Sequence, residues 1–410
     1  MRVFEVARRE PLFFMHIPKT AGMSMRAYLE NQYYGQDIFP AVSWPDLVRS
    51  GAEVSRYRLV HGHFQYNMRA ALPPETKCLT VLREPLLRTI SALRHLQRDP
   101  AFHPDHALAR GLNLKQILRN PRLMSRQKNI QAAALCASAP PAAVIDSLRK
   151  ARPSQIGSDP ADLEAPATFE LAAQRLEEIE FLGFTEKLWM VLAQLSGEMN
   201  YHPADALPAI NDAPNQPTAL EGMDAEDLEL LRHYNDIDLK IYARAKEVLA
   251  QRQFEKTMLD LIERGVYTTQ RESFRLDLRA PIPGTGWYEA ESEGGATAWR
   301  WTGPDHGFTL GLPLLAQKSY RVALQFRSPR PLDEADIAIN ANGQSLECEI
   351  SLEDDLYTLS ATIPSQSLTK SQGCCRLVFN AGMPMRVGNG AGGDQRILGV
   401  AVSSVTFNLL

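Results

Sequence analysis

A lysine and a glycine lie in a short stretch that directly follows the first apolar run of the chain. The run covers residues 12–17, and residues 16–24 read HIPKTAGMS. Backbone N–H groups at the start of a helix bind anions, and the helix dipole strengthens that binding. Glycine permits close backbone approach to a ligand, and lysine adds a point charge. The residues predicted to bind a phosphate-like anion are Lys19, Thr20, Ala21, Gly22, Met23 and Ser24.

An arginine and a serine occupy similar positions after the third predicted strand. The strand covers residues 78–82, Arg83 follows it, and Pro85 stands where proline favours the first turn of a helix. An arginine fork with a hydroxyl from Ser91 suits a phosphate dianion. The alternative for the whole stretch is a salt-bridged surface helix. Two roles stay open for Arg88, which either helps to bind the dianion or only pairs with Glu84 one turn earlier.

Two histidines flank a glycine at the end of the second predicted strand, residues 58–61. In an open α/β sheet the carboxyl ends of the strands face the ligand crevice. A neutral imidazole is a suitable base for a hydroxyl near neutral pH, so His61 and His63 are candidates for that role. A structural role stays open, whereas a zinc site would need more ligands than His103 and His106 add.

The stretch 16–24 resembles the 5′-phosphosulfate loop of the carbohydrate sulfotransferases, which use 3′-phosphoadenosine 5′-phosphosulfate (PAPS) as sulfuryl donor. That loop usually reads HIPKTAGTS, so Met23 stands where the family has threonine. Residues 83–91, REPLLRTIS, are similar to the family's R-[DE]-P-x-x-R-x-x-S element, which binds the donor's 3′-phosphate. The resemblance implies that Lys19 and its loop bind the 5′ end of PAPS, and that Arg83 and Ser91 bind the 3′-phosphate.

The histidine pair resembles the H-G-H element of the uronosyl 2-O-sulfotransferases. This implies that His63 is the catalytic base, that His61 is its partner or an alternate base, and that Lys19 stabilises the departing nucleotide. The resemblance also implies that no metal takes part. Supporting matches, in the form N-x-Q-x-x-x-L, G-x-T-E-x-L and a closing helix, lie at residues 129–135, 183–188 and 233–242. The resemblance spans about residues 11–250.

Strands that alternate with helices predict an α/β fold with a P-loop-like parallel sheet flanked by helices. Beyond residue 285, short alternating apolar runs separated by turns predict a C-terminal antiparallel β-sandwich. The predicted divisions are a PAPS-binding domain at 1–275, a proline- and glycine-rich linker at 276–284 and the sandwich at 285–410. Three of the five tryptophans lie between residues 287 and 301. They suit either stacking on sugar rings or the sandwich core, and docking is a further alternative for this domain.

Charge is distributed unevenly along the chain. The formal net charge is −4, which argues against general nucleic-acid binding. Residues 1–130 nevertheless hold 20 Lys and Arg against 10 Asp and Glu, which indicates an anionic ligand there. The basic residues between 119 and 128 suit either an acidic glycan or a solvated helix face.

Composition bounds the remaining function classes. Hydrophobic residues make up 44% and charged residues 22%, as in a globular protein. No apolar run approaches the roughly 18 residues of a membrane helix, and the first ten residues lack a signal peptide's apolar stretch. With five cysteines, these features predict a cytoplasmic enzyme similar to bacterial soluble members of the family. The oligomeric state stays open.

The sequence therefore predicts a sulfotransferase that moves a sulfuryl group from PAPS to a hydroxyl of a polysaccharide or glycolipid. The alternative is a glycan-binding protein whose sulfotransferase-like domain is degenerate, which Met23 favours. A nucleotide kinase is disfavoured because the G-x-x-x-x-G-K-[ST] spacing of a Walker loop is absent.

Overall fold

The computed structural model describes residues 9–98, 105–150, 167–204, 220, 222–293, 297–333, 336–386 and 396–410. The chain divides into two compact units, Met1–Lys246 and Glu247–Leu410. The first unit is a parallel sheet with helices, and the second consists mainly of antiparallel strands. The predicted combination of an α/β part and a β part is confirmed.

A four-stranded sheet organises the first unit. Its strands are β1 (Leu12–Met15), β2 (Leu59–Gly62), β3 (Lys77–Leu82) and β4 (Phe181–Phe184). The order is β2-β1-β3-β4, and all neighbours are parallel. The strands are almost entirely buried, as expected of a parallel sheet covered on both faces. The chain leaves β1 toward one side and β3 toward the other, so the ligand crevice is expected where these two strands end.

Twelve helices of the described chain accompany this sheet or follow it. They are α1 (Gly22–Glu30), α2 (Trp44–Ser50), α3 (Pro85–Arg98), α4 (His106–Ala109), α5 (Leu114–Leu118), α6 (Pro121–Ser125), α7 (Ile130–Cys136), α8 (Pro141–Lys150), α9 (Phe169–Glu177), α10 (Leu188–Glu198), α11 (Ala225–Tyr234) and α12 (Asp236–Glu263). The sequence predicts one long helical region from about 224 to 264 with a single break. That break is confirmed at Asn235, which is fully buried between α11 and α12.

The second unit contains two main antiparallel sheets. Its strands are β5 (Phe274–Arg275), β6 (Trp287–Glu293), β7 (Thr297–Thr302), β8 (Gly307–Pro313), β9 (Tyr320–Arg327), β10 (Ile337–Ala341), β11 (Gln344–Leu346), β12 (Cys348–Glu353), β13 (Leu356–Ile363), β14 (Cys374–Ala381), β15 (Met385–Arg386), β16 (Ile397–Leu398) and β17 (Ala401–Leu409), with helix α13 (Ser365–Lys370). One sheet has the order β11-β10-β14-β8, and the other β12-β13-β9-β17-β7-β6 with β5 beside β17.

Alternating side chains of both sheets form the core of the second unit. In β9, Tyr320 and Val322 are buried while Arg321 between them is exposed, which is the period of a half-buried strand. Leu310 and Phe379 of the other sheet join the same cluster. The predicted sandwich is therefore present. Trp287 packs at the edge of this core and donates its indole N–H to the Thr309 carbonyl at 2.8 Å, so for this residue the core alternative holds.

The predicted linker at 276–284 lies inside the second unit. The boundary between the two units instead falls within α12, after Lys246. Leu278 is 4% exposed in the hydrophobic core, and β5 pairs with β17 just before it. Gly284 lies so close to β8 that a Cβ there would stand 1.8 Å from the Thr309 carbonyl oxygen. The glycine and proline residues thus shape a packed turn, and the predicted boundary after residue 275 comes too late in the chain.

Among the helices of the described residues, none combines the length and the apolar character needed to cross a membrane.

Candidate functional site

The loop between β1 and α1 has an unusual backbone. Lys19 and Ala21 adopt positive φ angles of 73° and 62°, the left-handed region that non-glycine residues rarely enter. Ala21 is the N-cap of α1 and supplies no side-chain cap, and the first turn of the helix contains no acidic residue. Strained backbone of this kind concentrates at functional sites, and an uncapped helix start directs its N–H donors toward an anion.

Lys19 lies among positive charges. Burial lowers the pKa of its ammonium group, and the guanidinium groups of Arg98 and Arg83 lower it further. Among the described residues, no carboxylate oxygen lies within ion-pair distance of Lys19 or Arg83. The charges that act on Lys19 are therefore positive, and surroundings of this sign attract an anionic ligand.

Arg83 joins the two predicted anion-binding stretches. It follows β3 directly, and its Nη1 donates a hydrogen bond to the Lys19 carbonyl oxygen at 3.2 Å. Burial lowers the pKa of Arg83, an effect opposed by Glu186 and Glu84. One guanidinium bond to the loop leaves further N–H donors of the five that arginine carries. The residues that the sequence places after β1 and β3 thus meet where the topology predicts the crevice.

The remaining predicted loop residues occupy different environments. The fully buried Thr20 donates its hydroxyl to the Ile17 carbonyl at 2.9 Å, so its side chain stabilises the loop and only its backbone can serve a ligand. Ser24 is 7% exposed, whereas Met23 is 43% exposed at the start of α1. Ser91 is partly buried further along α3.

His63 follows β2 and contacts the start of the same loop. Its Nδ1 lies 3.2 Å from the carbonyl oxygen of His16, and a carbonyl only accepts, so Nδ1 carries the proton. In the neutral ring Nε2 is then unprotonated, the state that a general base requires. The His63 and His16 rings stack with their centroids 4.4 Å apart. The predicted base thus lies beside the predicted anion loop.

His16 occupies the space above Gly22. A Cβ on Gly22 would stand 1.7 Å from the His16 Nε2, so only glycine leaves room for this ring. Burial and the neighbouring His63 lower the pKa of His16 to about 3, which keeps the ring neutral. In the sequence His16 is recognisable only as part of the loop, because spacing alone contains no signal for a ring that lies over a glycine six residues later.

Replacing Gly22 with alanine is expected to destabilise the first unit by about 1–3 kcal/mol, because the new methyl group overpacks against the His16 ring. Urea unfolding measures the loss. His16→Ala should restore part of it in the double variant, since it removes the clashing ring. Gly197→Ala is the matched control, because Gly197 lies in α10 with open space around its Cβ position. An equal loss in both single variants would contradict the packing argument.

His61 does not have the surroundings of a second base. It is 2% exposed, and its Nε2 lies 3.0 Å from a Glu30 carboxylate oxygen of α1, without the alignment of a good hydrogen bond. Burial and Arg26 lower its pKa to about 4, against the opposing effect of Glu30. The prediction of an alternate base is therefore corrected, because an acceptor cannot reach a side chain enclosed between β2 and α1.

The depressed pKa values of His16 and His61 predict a pH dependence of stability. As pH falls below 6.5, the ordinary pKa of histidine, both side chains become protonated in the unfolded chain. In the folded chain His61 stays neutral down to about pH 4 and His16 down to about pH 3. Stability should therefore fall with pH in this window, by up to about 1.4 kcal/mol per pH unit for each proton. Urea unfolding at several pH values measures the slope. His61→Gln should flatten it, whereas His233→Gln, an exposed control, should not.

Arg88 follows neither predicted alternative. It is 1% exposed and donates from Nη2 to the Thr89 hydroxyl at 3.0 Å and to the Gln127 carbonyl at 3.3 Å. Burial lowers its pKa to about 10, with Asp238 opposing. Arg88 is thus a buried structural residue whose side chain forms no ion pair with Glu84, and the Glu84 carboxylate instead accepts the Leu87 N–H.

The basic residues between 119 and 128 are largely committed to ion pairs. Arg119 contacts Glu226 and Asp227, and both Arg122 and Arg126 contact the buried Asp105. These contacts favour the structural alternative over a glycan-binding face. His103, considered above for a metal, lies outside the described residues.

No protein-family model matches the sequence, and a search of curated proteins also found no match. Among solved structures, a GH26-CBM35 β-(1,4)-mannanase from Podospora anserina is 9% identical over 34% of this chain and 28% of that chain, with a TM-score of 0.23. A β-1,3-glucan-binding CBM6 from Bacillus halodurans is 12% identical over 34% of this chain and 99% of that chain, with a TM-score of 0.23. A family GH115 4-O-methyl-α-glucuronidase is 11% identical over 78% of this chain and 38% of that chain, with a TM-score of 0.21. Similarities this weak support no argument about function.

Proposed function

We propose that the protein transfers a sulfuryl group from PAPS to a hydroxyl of a carbohydrate. The observation that carries the proposal is the 3.2 Å hydrogen bond from Arg83 to the Lys19 carbonyl. It joins two stretches, remote in sequence, that resemble the 5′-phosphosulfate loop and the 3′-phosphate element of the sulfotransferases. A single nucleotide with phosphates at the 3′ and 5′ positions of its ribose would contact both stretches.

The chemistry assigned to the site begins at His63. Its Nε2 takes the proton of the acceptor hydroxyl while the hydroxyl oxygen attacks sulfur in line. The bond from sulfur to the 5′-phosphate oxygen breaks, and its electron pair leaves with adenosine 3′,5′-bisphosphate. The products are a sulfate ester, the bisphosphate and a proton on His63, which then passes to water.

Lys19 and the start of α1 stabilise the charge that develops on the departing phosphate oxygen. This assignment is supported by the positive surroundings of Lys19 and by the absence of a side-chain cap on α1. Donors that are already oriented toward developing charge stabilise a transition state without further rearrangement. No metal is needed for any of these steps. The carbohydrate acceptor follows from the family resemblance alone.

A second candidate is glycan binding by the second unit beside an inactive first unit. The observation that favours it is Met23, which presents a thioether at the position of the family's threonine hydroxyl and is 43% exposed. Two of the solved structures above are named for carbohydrate-binding modules. At a TM-score of 0.23 this similarity does not support the second candidate.

Thermal unfolding with adenosine 3′,5′-bisphosphate tests the proposal. At about 100 times its Kd, a ligand of the folded state adds about 2.7 kcal/mol of stability. The Tm of the protein should rise with this ligand, and a labelled sulfuryl donor should then identify the acceptor in a glycan screen. A response to ATP but none to the bisphosphate would overturn the donor assignment. Glycan binding without any nucleotide response would favour the second candidate.

A further inference from the structure

A buried glutamine side chain pairs with the main chain of Arg83. Gln131 accepts the Arg83 N–H on Oε1 at 2.9 Å and donates from Nε2 to the Arg83 carbonyl at 3.0 Å. The amide thus makes the two bonds that a neighbouring strand would make. Gln131 is fully buried, so water cannot replace either bond if the side chain is removed.

Gln131 is itself fixed at the start of α7. The carboxylate of Asp238 accepts the Gln131 N–H at 3.1 Å and the Ala132 N–H at 2.7 Å. In return, Asn129 just before α7 accepts the N–H groups of Ile237 and Asp238 at 3.0 and 3.2 Å. The starts of α7 and α12 therefore cap each other, and this arrangement leaves Gln131 little freedom to move.

We infer that Gln131 is a positioning residue for the 3′-phosphate of the donor, acting through Arg83. The inference rests on the proposed function. Gln131 holds the main chain where β3 ends, and from there the Arg83 guanidinium reaches the Lys19 carbonyl. An arginine fork recognises a phosphate only when its planar donors are aligned with the phosphate oxygens. A displaced backbone misaligns the fork even though the arginine is still present.

The test compares two nucleotides that differ only in the 3′-phosphate. Adenosine 3′,5′-bisphosphate and 5′-AMP are titrated by calorimetry into the full chain. The Kd of 5′-AMP divided by the Kd of the bisphosphate is a ratio that measures recognition of the 3′-phosphate. Arg83→Ala should bring the ratio close to one. Gln131→Met keeps the side-chain volume but removes both bonds, and it should reduce the ratio roughly 10- to 100-fold, as removing the outer partner of a metal ligand does.

Further variants separate positioning from general destabilisation. Asn67→Ala removes another buried amide that donates to a backbone carbonyl, that of Ala139 at 2.8 Å, and it should leave the ratio unchanged. Gln131→Glu keeps an acceptor for the Arg83 N–H and should give an intermediate ratio. Combining Gln131→Met with Arg83→Ala should change the ratio no more than Arg83→Ala alone.

The outcomes distinguish the inference from the proposed function. If wild type discriminates between the nucleotides and Gln131→Met or Gln131→Glu retains the full ratio, the inference is overturned and the donor assignment stands. An equal fall of the ratio in Asn67→Ala would also overturn it, because the effect would then be general. If wild type binds neither nucleotide, the proposed function fails and the inference fails with it.

Discussion

Replacing His63 with alanine is expected to lower kcat for sulfuryl transfer roughly 100- to 10,000-fold, the usual contribution of a general base. The Nδ1 proton of His63 is directed to the His16 carbonyl at 3.2 Å, so the neutral ring offers Nε2 to the acceptor hydroxyl. Alanine removes that acceptor of the proton, together with the contact to His16, but it leaves every residue from Lys19 to Ser24 in place. A sulfuryl-transfer assay at saturating donor measures the effect, and the affinity for adenosine 3′,5′-bisphosphate should change little.

The matched control for this variant is His233→Ala. His233 is exposed on α11, and its removal should leave kcat near the wild-type value. His63→Gln is a second test, because it preserves a polar side chain without a base of suitable pKa. A near-wild-type rate in either His63 variant would remove this residue from the mechanism, and an equal loss in the control would point to a general defect.

Replacing Lys19 with alanine is expected to lower kcat by roughly 100- to 1,000-fold, comparable to the loss of one preorganised donor at a developing negative charge. The ammonium group is held among positive charges, so its attraction to the departing phosphate oxygen is opposed by no carboxylate of the described residues within ion-pair distance. Single-turnover kinetics measure the chemical step. The binding of adenosine 3′,5′-bisphosphate should weaken less than kcat falls, since the interaction strengthens in the transition state.

Lys128→Ala controls for the loss of an exposed lysine elsewhere in the basic first third of the chain. Lys19→Arg keeps the charge but substitutes a wide planar fork for a compact ammonium group, so it should recover only part of the rate. Unchanged turnover in Lys19→Ala would contradict the role assigned to the loop after β1.

The positions of Lys19 and Arg83 follow from sequence for a simple physical reason. Arg83 stands directly after β3 and Lys19 stands four residues after the end of β1, and the carboxyl ends of such buried parallel strands meet at one edge of the sheet. The contact between the two residues could therefore be expected before its geometry was known.

The different environments of His61 and His63 could not be predicted in the same way. Residues two apart on a strand share a face, which would place both rings toward the same ligand. Gly62 breaks this pattern with a φ of 144°, at a point where a Cβ would stand 2.3 Å from the Val42 carbonyl oxygen. Its backbone packs against residue 42, remote in sequence, and His61 is enclosed while His63 reaches the loop.

Tertiary packing also overrides two local patterns. The spacing of Glu84 and Arg88 suits a surface ion pair, yet the helix turns Arg88 into the interior beside Gln127. The prolines and glycines near residue 280 suit a flexible linker, yet they form a turn packed on a sheet. In both cases the deciding partners are distant in sequence, so local composition could not identify them.

The His16 ring above Gly22 has a consequence for how this chain can diverge in evolution. A lineage cannot readily acquire a side chain at position 22 while it keeps an imidazole at position 16, because the two side chains would occupy the same space. Exchanges at the two sites should therefore appear together among relatives, with the smaller residue at 16 preceding the larger one at 22. Position 197 carries no such constraint and should vary independently.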